Sequence, residues 1–360
     1  MNFKTNQKEK RSFFRPTKLI KGSASLLILA LVAEYIVIPE ISGASKSIKL
    51  ITKVNIFYLI LGICFEAAAL LCYSLLTRSL LKKPPKFSTI LKINFSTLAV
   101  SHVLPGGTAS GTALGFRLFS DSGVDTAETS FTLATQGIGS AVVLNVILWC
   151  ALIASIPFHS INNPEYIIAA GVGAFVLLLA AFLIASFTRG RKRLTKVLTT
   201  IAQKIPFKKH LKFLQKDKLE NWINTISERV SVLISDKTLL RRAILWASLN
   251  WLLDAGSLGI FVAAFGVILN PFDLLVAYGL ANVMAAIPIT PGGLGVIEGI
   301  LIPTLIGFNT PGAIATLAVV IYRFFNFWLP IPAGFFSYLS LRLEPGTPWQ
   351  RAKSLKQGAN

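Results

Sequence analysis

Two Pro-Gly-Gly triplets interrupt long apolar stretches of this chain, at Leu104-Pro105-Gly106-Gly107 and Thr290-Pro291-Gly292-Gly293. Proline removes an amide donor and glycine is a poor helix former, so each triplet ends a helix. Hydrocarbon offers no water to the backbone groups so released. A break at membrane depth therefore persists only where protein or a wet cavity surrounds it. A pair of breaks in corresponding places of two halves marks a binding site in folds built from structural repeats.

The composition places the chain in a bilayer. Of 360 residues, 53% are hydrophobic and 14% charged, against roughly 25% charged in soluble domains. The charges are missing from blocks long enough to cross a membrane. The formal net charge is +20, from 36 Lys+Arg and 16 Asp+Glu. These basic residues lie in loops between apolar runs, which points to anionic inner-leaflet lipids and away from nucleic acid. Cys64, Cys72 and Cys150 fall inside apolar spans, and His102, His159 and His210 are scattered. Neither set has the spacing of a metal or disulfide framework, and no cofactor motif is present. The N-terminal apolar stretch contains Glu34 and continues to about Ile41, longer than a signal-peptide core, so a retained span is expected.

Full-length apolar helices are expected at about 22–41, 54–76, 126–156, 165–187, 243–269 and 313–341. Segments 88–119 and 272–308 each read as two short arms split at a Pro-Gly-Gly triplet. An arm of about 15 residues rises about 22 Å, less than a hydrocarbon core of about 30 Å. Basic residues crowd the N-terminal arm, the 77–92 loop and the 188–242 segment, and are absent from the 157–164 loop and the 270–273 turn. The positive-inside rule then puts the first three in the cytoplasm and the last two outside. With that parity both split segments must return to the side they entered from. The expected fold is an all-α polytopic membrane protein, with about six full transmembrane helices and two oppositely oriented re-entrant helical hairpins in an inverted-topology repeat. Its parts are a basic cytoplasmic N-terminal arm (1–21), one integral membrane domain (22–341) and a cytoplasmic tail (342–360). Within the domain, the first repeat is 54–156, the second 243–341, and a cytoplasmic amphipathic insert occupies 188–242. The insert's apolar residues recur at helical spacing between basic ones, which suits either helices on the inner leaflet or helices packed on each other.

Charges inside apolar spans are the first candidates for function, since each costs about 2.5–3.5 kcal/mol to insert at a helix centre. Glu34, Glu66, Asp254, Glu298 and Arg323 qualify. Glu298 follows Pro291 by two helical turns, and Arg323 lies on the next helix. Either the two form an ion pair between hairpin and helix, or Arg323 grips an anionic headgroup with Glu298 tuning it; the planar guanidinium suits phosphate. Arg117 follows the first triplet in a comparable place, and reads either as a second headgroup contact or as an arginine snorkelling to the interface. Asp254, with Asn250 one turn before it, and Glu66 form a possible polar relay, or hydrogen-bond across helices. Gly106, Gly107, Gly292, Gly293 and Gly295 permit positive φ, and an arm starting after each triplet bares amide groups to an anion. Thr108 and Ser110 add hydroxyls at the first break.

The run Pro288-Ile-Thr-Pro-Gly-Gly-Leu-Gly-Val-Ile-Glu298, followed by Tyr322-Arg323 and Pro330, resembles the membrane domain of lysylphosphatidylglycerol synthases. So does Leu104-Pro-Gly-Gly-Thr-Ala-Ser-Gly with Arg117 after it. The resemblance covers about 20–341 and implies a flippase-like lipid translocase, multi-pass in the plasma membrane with both termini cytoplasmic. About 20 residues follow the last expected helix, so the chain reads as a stand-alone member without the lysyltransferase domain and not as an enzyme. The implied cargo is a phospholipid or polyprenyl-linked lipid. Alternatives are a non-transporting partner of an envelope lipid or glycan enzyme, or an intramembrane lipid-modifying enzyme using Glu298 or Asp254; a homo-oligomer or an envelope enzyme is the expected protein partner.

Overall fold

A computed structural model describes residues 54–104, 106–155, 171, 174, 175, 178, 235–285 and 290–343. The expected span at 22–41, nearly all of that at 165–187, the N-terminal arm, most of the 188–242 insert, nearly all of the tail and Pro105 lie outside the described residues.

All regular structure among the described residues is helical. Helix α1 spans Ile56–Leu80, α2 Phe87–Val103, α3 Thr108–Asp121 and α4 Thr126–Ala134, which passes through a π-helical segment at Thr135–Gly139 into α5, Ser140–Ser155. Helix α6 spans Lys237–Ala263 and α7 Pro271–Ala285. A short 3₁₀ turn at Pro291–Gly293 leads into α8, Val296–Gly307. Helix α9, Gly312–Arg323, passes through a second π-helical segment at Phe324–Trp328 into α10, Pro330–Leu343. Four continuous stretches are long and apolar enough to cross a membrane: Ile56–Leu80, Thr126–Ser155, Lys237–Ala263 and Gly312–Leu343. These are four of the expected spans. The third begins at Lys237, because the Asp236 carboxylate caps the amides of Thr238 and Leu239 and starts the helix early. Lys237, Arg241 and Arg242 are thereby on a spanning helix and not in the loop before it.

Helix starts follow local chemistry. Asn55 accepts from the Phe57 amide, and Asp125 accepts from the amides of Ala127 and Glu128. The two π segments were not expected. Apolar periodicity does not register one extra residue in a turn, and such segments cluster at functional sites.

The order of elements recurs. A long helix (α1, α6) is followed by two short helices divided at a glycine break (α2–α3, α7–α8). A helix interrupted by a π segment completes each half (α4–α5, α9–α10). Packing recurs with it. Helices α1 and α6 pack on each other, α2 packs on α10 as α7 packs on α5, and each split pair packs arm against arm. The largest core surrounds α7, with Leu148, Leu258, Phe261, Tyr278, Leu301 and Val319 buried about it. Large apolar side chains such as Phe57, Ile153 and Phe336 are exposed on outer faces, as lipid contact requires.

Candidate functional site

The two glycine breaks meet. Gly292 has φ 58° and Gly107 φ 49°, both in the left-handed region that favours glycine. A Cβ added to Gly107 would stand 3.9 Å from the Gly292 amide nitrogen. One added to Gly292 would come within 2.3 Å of the Phe327 ring and 3.1 Å of His102 Cδ2. Glycine at 292 is thus needed for conformation and for room. Helix α2 also packs against the Pro291–Gly293 turn, so the ends of both breaks lie in one neighbourhood.

Arg323 ends α9 beside this junction and is 3% exposed. Its Nε donates to Glu298 Oε1 at 2.5 Å, and its Nη2 donates to the Gly292 carbonyl at 3.3 Å. Its guanidinium lies 4.5 Å from the centre of the Phe327 ring. Glu298 in turn accepts from the Gly295 amide at 2.7 Å, tying the start of α8 to the arginine. Of the two arrangements the sequence left open, this structure holds the ion pair. Glu298 and the Gly292 carbonyl occupy donors that an anionic ligand would also use.

A second polar group lies alongside. Asn326, in the second π segment, donates through Nδ2 to Glu66 Oε1 at 2.9 Å and to Asp254 Oδ1 at 3.1 Å. Tyr278 donates to Asp254 Oδ2 at 2.5 Å, and Ser257 donates to Glu66 Oε2 at 3.0 Å. One amide nitrogen therefore bridges carboxylates from α1 and α6. Asn250 does not join them. With its side-chain amide oriented to satisfy both ends, its nitrogen donates to the Ala69 carbonyl on α1 at 3.1 Å.

The first half carries a matching but neutral group. Gln136, in the first π segment, donates to Thr77 at 2.6 Å. Asn94 donates to Ser74 at 3.0 Å and to Thr77 at 3.1 Å. Nearby, the Lys82 amide donates to buried Glu128.

The structure brings Arg323, Glu298, Gly292, Gly293, Gly295 and Gly107 to one place, with Gly106 adjoining Gly107 in the chain. Ser110 closes over the first break, since a Cβ on Gly106 would meet its hydroxyl at 3.0 Å. Thr108 starts α3, where its carbonyl accepts from Thr112 at 2.8 Å. Arg117 is not brought in. It lies ten residues past Gly107, roughly 15 Å along α3. There its side chain is 57% exposed and pairs with Asp121 at 3.8 Å. Counting from the π segments, the first-half position matching Arg323 is Ala134 and not Arg117. Sequence reasoning missed His102, Phe327, Asn326, Tyr278 and Gln136. Asn326 was findable: it is polar, inside an apolar span, and one turn beyond Arg323 on the same face.

Residues 20–334 match the family described as the lysylphosphatidylglycerol synthase TM region. A UPF0104 membrane protein of Pyrococcus horikoshii is 21% identical over 321 residues, 86% of this chain and 94% of the relative. Two UPF0104 membrane proteins of Methanothermobacter thermautotrophicus are similar over shorter stretches. One is 22% identical over 169 residues, 46% of this chain and 49% of the relative. The other is 24% identical over 180 residues, 48% and 52% respectively. The matches thus span about half the length of the Methanothermobacter relatives.

Proposed function

The chain belongs to the lysylphosphatidylglycerol synthase TM-region family, and from that premise we propose that it is a lipid translocase of the plasma membrane. The cargo is a phospholipid or another lipid-linked anionic headgroup. The observation that carries this reading is the meeting of both glycine breaks beside one buried arginine. A planar guanidinium suits an anion, and the break amides beside it, which here close local turns from Gly107 to Leu104 and from Gly293 to Thr290, are donors a ligand could recruit where hydrocarbon would otherwise allow neither.

In this mechanism each split pair is a re-entrant hairpin, one entering from each side, and the two halves are an inverted repeat. A headgroup approaching from the cytoplasm meets Arg117 near the surface, then the hydroxyls of Thr108 and Ser110. Its phosphate displaces Glu298 from Arg323 and takes the donors that now serve Glu298 and Gly292. Glu298 keeps the guanidinium compensated whenever the site is empty, so the ion pair and the liganded arginine are two states of one cycle. Rocking of one half against the other exposes the junction to the opposite leaflet while the acyl tails stay in lipid. The basic 188–242 segment rests on anionic headgroups of the inner leaflet, with both termini cytoplasmic.

The test is leaflet exchange. The purified full chain in liposomes should move fluorescent phospholipid or polyprenyl-linked lipid between leaflets faster than empty vesicles do. Exchange equal to that of empty vesicles for every lipid class would remove the translocase reading.

A further inference from the structure

His102 stands at the end of α2, where the first break begins, yet all its described contacts are with the second half. Its ring stacks on Phe327 at 4.5 Å between centroids, and Nδ1 lies 3.0 Å from the Phe327 carbonyl. A carbonyl oxygen only accepts, so Nδ1 carries the proton of that contact. In a neutral imidazole the other nitrogen is then a bare acceptor. Among the described residues nothing donates to Nε2. The ring edge that carries it faces the second break, because Cδ2, bonded directly to Nε2, is the atom a Gly292 Cβ would meet at 3.1 Å.

Arg323 leans on the same Phe327 ring, its guanidinium carbon 4.5 Å from the centroid. A second cation there would face the guanidinium across one aromatic side chain, so the neutral ring is the form this neighbourhood accommodates. The junction thus presents a fixed donor, Arg323, and a fixed acceptor, His102 Nε2, on either side of Phe327. Phosphate diesters have no proton to donate, so the acceptor has no use for the phosphate itself. It suits the part of a headgroup that lies beyond the phosphate.

We infer that His102 tests the headgroup for a hydrogen-bond donor, so that the site takes phospholipids ending in an N–H or O–H and discriminates against those capped by methyl groups. This rests on the junction being a headgroup site, as proposed above. A headgroup without a donor would bury Nε2 against methyl groups and leave it unpaired. A site built to pair such a group rejects the analogue lacking it more sharply than an apolar pocket rejects added bulk.

The experiment uses the purified full chain in detergent and short-chain phosphatidylethanolamine with its N-methyl, N,N-dimethyl and N,N,N-trimethyl (choline) derivatives. Affinities are read by native mass spectrometry. The first three keep at least one N–H at pH 7, and all four share one net charge. Binding should be similar through the dimethyl lipid and fall about tenfold at the trimethyl one. His102→Ala should flatten the series to the choline level. His102→Gln, whose side-chain oxygen still accepts, should keep the step. A smooth decline with each methyl, equal binding throughout, no binding to any member, or a step that survives in His102→Ala would each overturn the inference. If His102→Ala does not fold, the wild-type series and His102→Gln still decide it. Leaflet exchange is not read here. A protein that binds with the step but moves no lipid would sink the translocase reading and leave this one standing.

Discussion

The two halves of the molecule share a scaffold and differ in charge. Polar residues sit on the same elements in both: Ser74 and Thr77 on α1 against Asp254 and Ser257 on α6, Asn94 in the middle of α2 against Tyr278 in the middle of α7, and Gln136 and Asn326 as the second and third residues of the two π segments. Each set is joined across helices through its π-segment amide, Gln136 donating to Thr77 and Asn326 to Asp254 and Glu66. In the first half every member is neutral. In the second, Asp254 and the Glu66 that reaches across from α1 bring two carboxylates to one amide. The ion pair shows the same bias. Glu298 is the third residue of α8 and Arg323 the last of α9. Their first-half counterparts are Ser110 on α3 and Ala134 on α4. Neutral hydroxyls and amides are ordinary glue between membrane helices. Buried charges in hydrocarbon are expensive and kept for a purpose. The ion pair and Asp254 are thus in the second half, while the first contributes the buried Glu66 and Glu128.

The hardest blow to that comparison is at the ion pair. Arg323→Ala leaves Glu298 charged and 14% exposed, with the Gly295 amide as its described partner. Breaking one partner of a buried pair costs about 3–5 kcal/mol, whereas removing both is far milder. Thermal unfolding in detergent should show Arg323→Ala strongly destabilised and the Arg323→Met/Glu298→Leu double variant close to wild type. Leaflet exchange should be lost in both. A stable double variant that still moves lipid would show the pair to be structural, and the charge asymmetry would lose its functional meaning.

The sequence carried this site unevenly. The breaks, Arg323 and Glu298 are residue types that hydrocarbon penalises, so they stand out against an apolar background. Four spanning stretches followed from length alone. The recurring order of elements was visible as an order of long and short segments. Its side-chain correspondence was not, since Ser74 against Asp254, or Asn94 against Tyr278, shares no residue identity. What is shared is the element each residue sits on, and an extra residue in a helical turn leaves no mark on apolar spacing. Arg117 was set beside Arg323 because both follow a triplet. The three-dimensional match runs through the π segments instead and lands on Ala134.

A milder test compares the two polar groups directly. Asn326→Leu removes the donor shared by Glu66 and Asp254, leaving two facing carboxylates without it. Gln136→Leu removes one bond to a threonine that Asn94 still holds. Hydrogen bonds to charged groups are worth about 1.5–3 kcal/mol each and neutral ones about 1, so Asn326→Leu should lower the unfolding midpoint roughly twice as far or more. Equal shifts would mean that the carboxylates do not depend on the amide. The first-half group would then be as critical as its charged counterpart.

The smallest expected effect is at Arg117, and it bears on where a headgroup enters. An exposed ion pair one turn apart on a helix contributes about 0.3–0.5 kcal/mol at most, so Arg117→Ala should leave the unfolding midpoint unmoved. If Arg117 gathers anionic headgroups at the cytoplasmic surface, its loss lowers their local concentration without touching the junction. Exchange at low lipid-probe density should then fall about two- to threefold and recover at saturating probe, and added salt should shrink the difference because it screens an exposed charge. A loss that persists at saturation would move Arg117 from the entrance into the site. The first half would then add Arg117 to the charge it already contributes through Glu66.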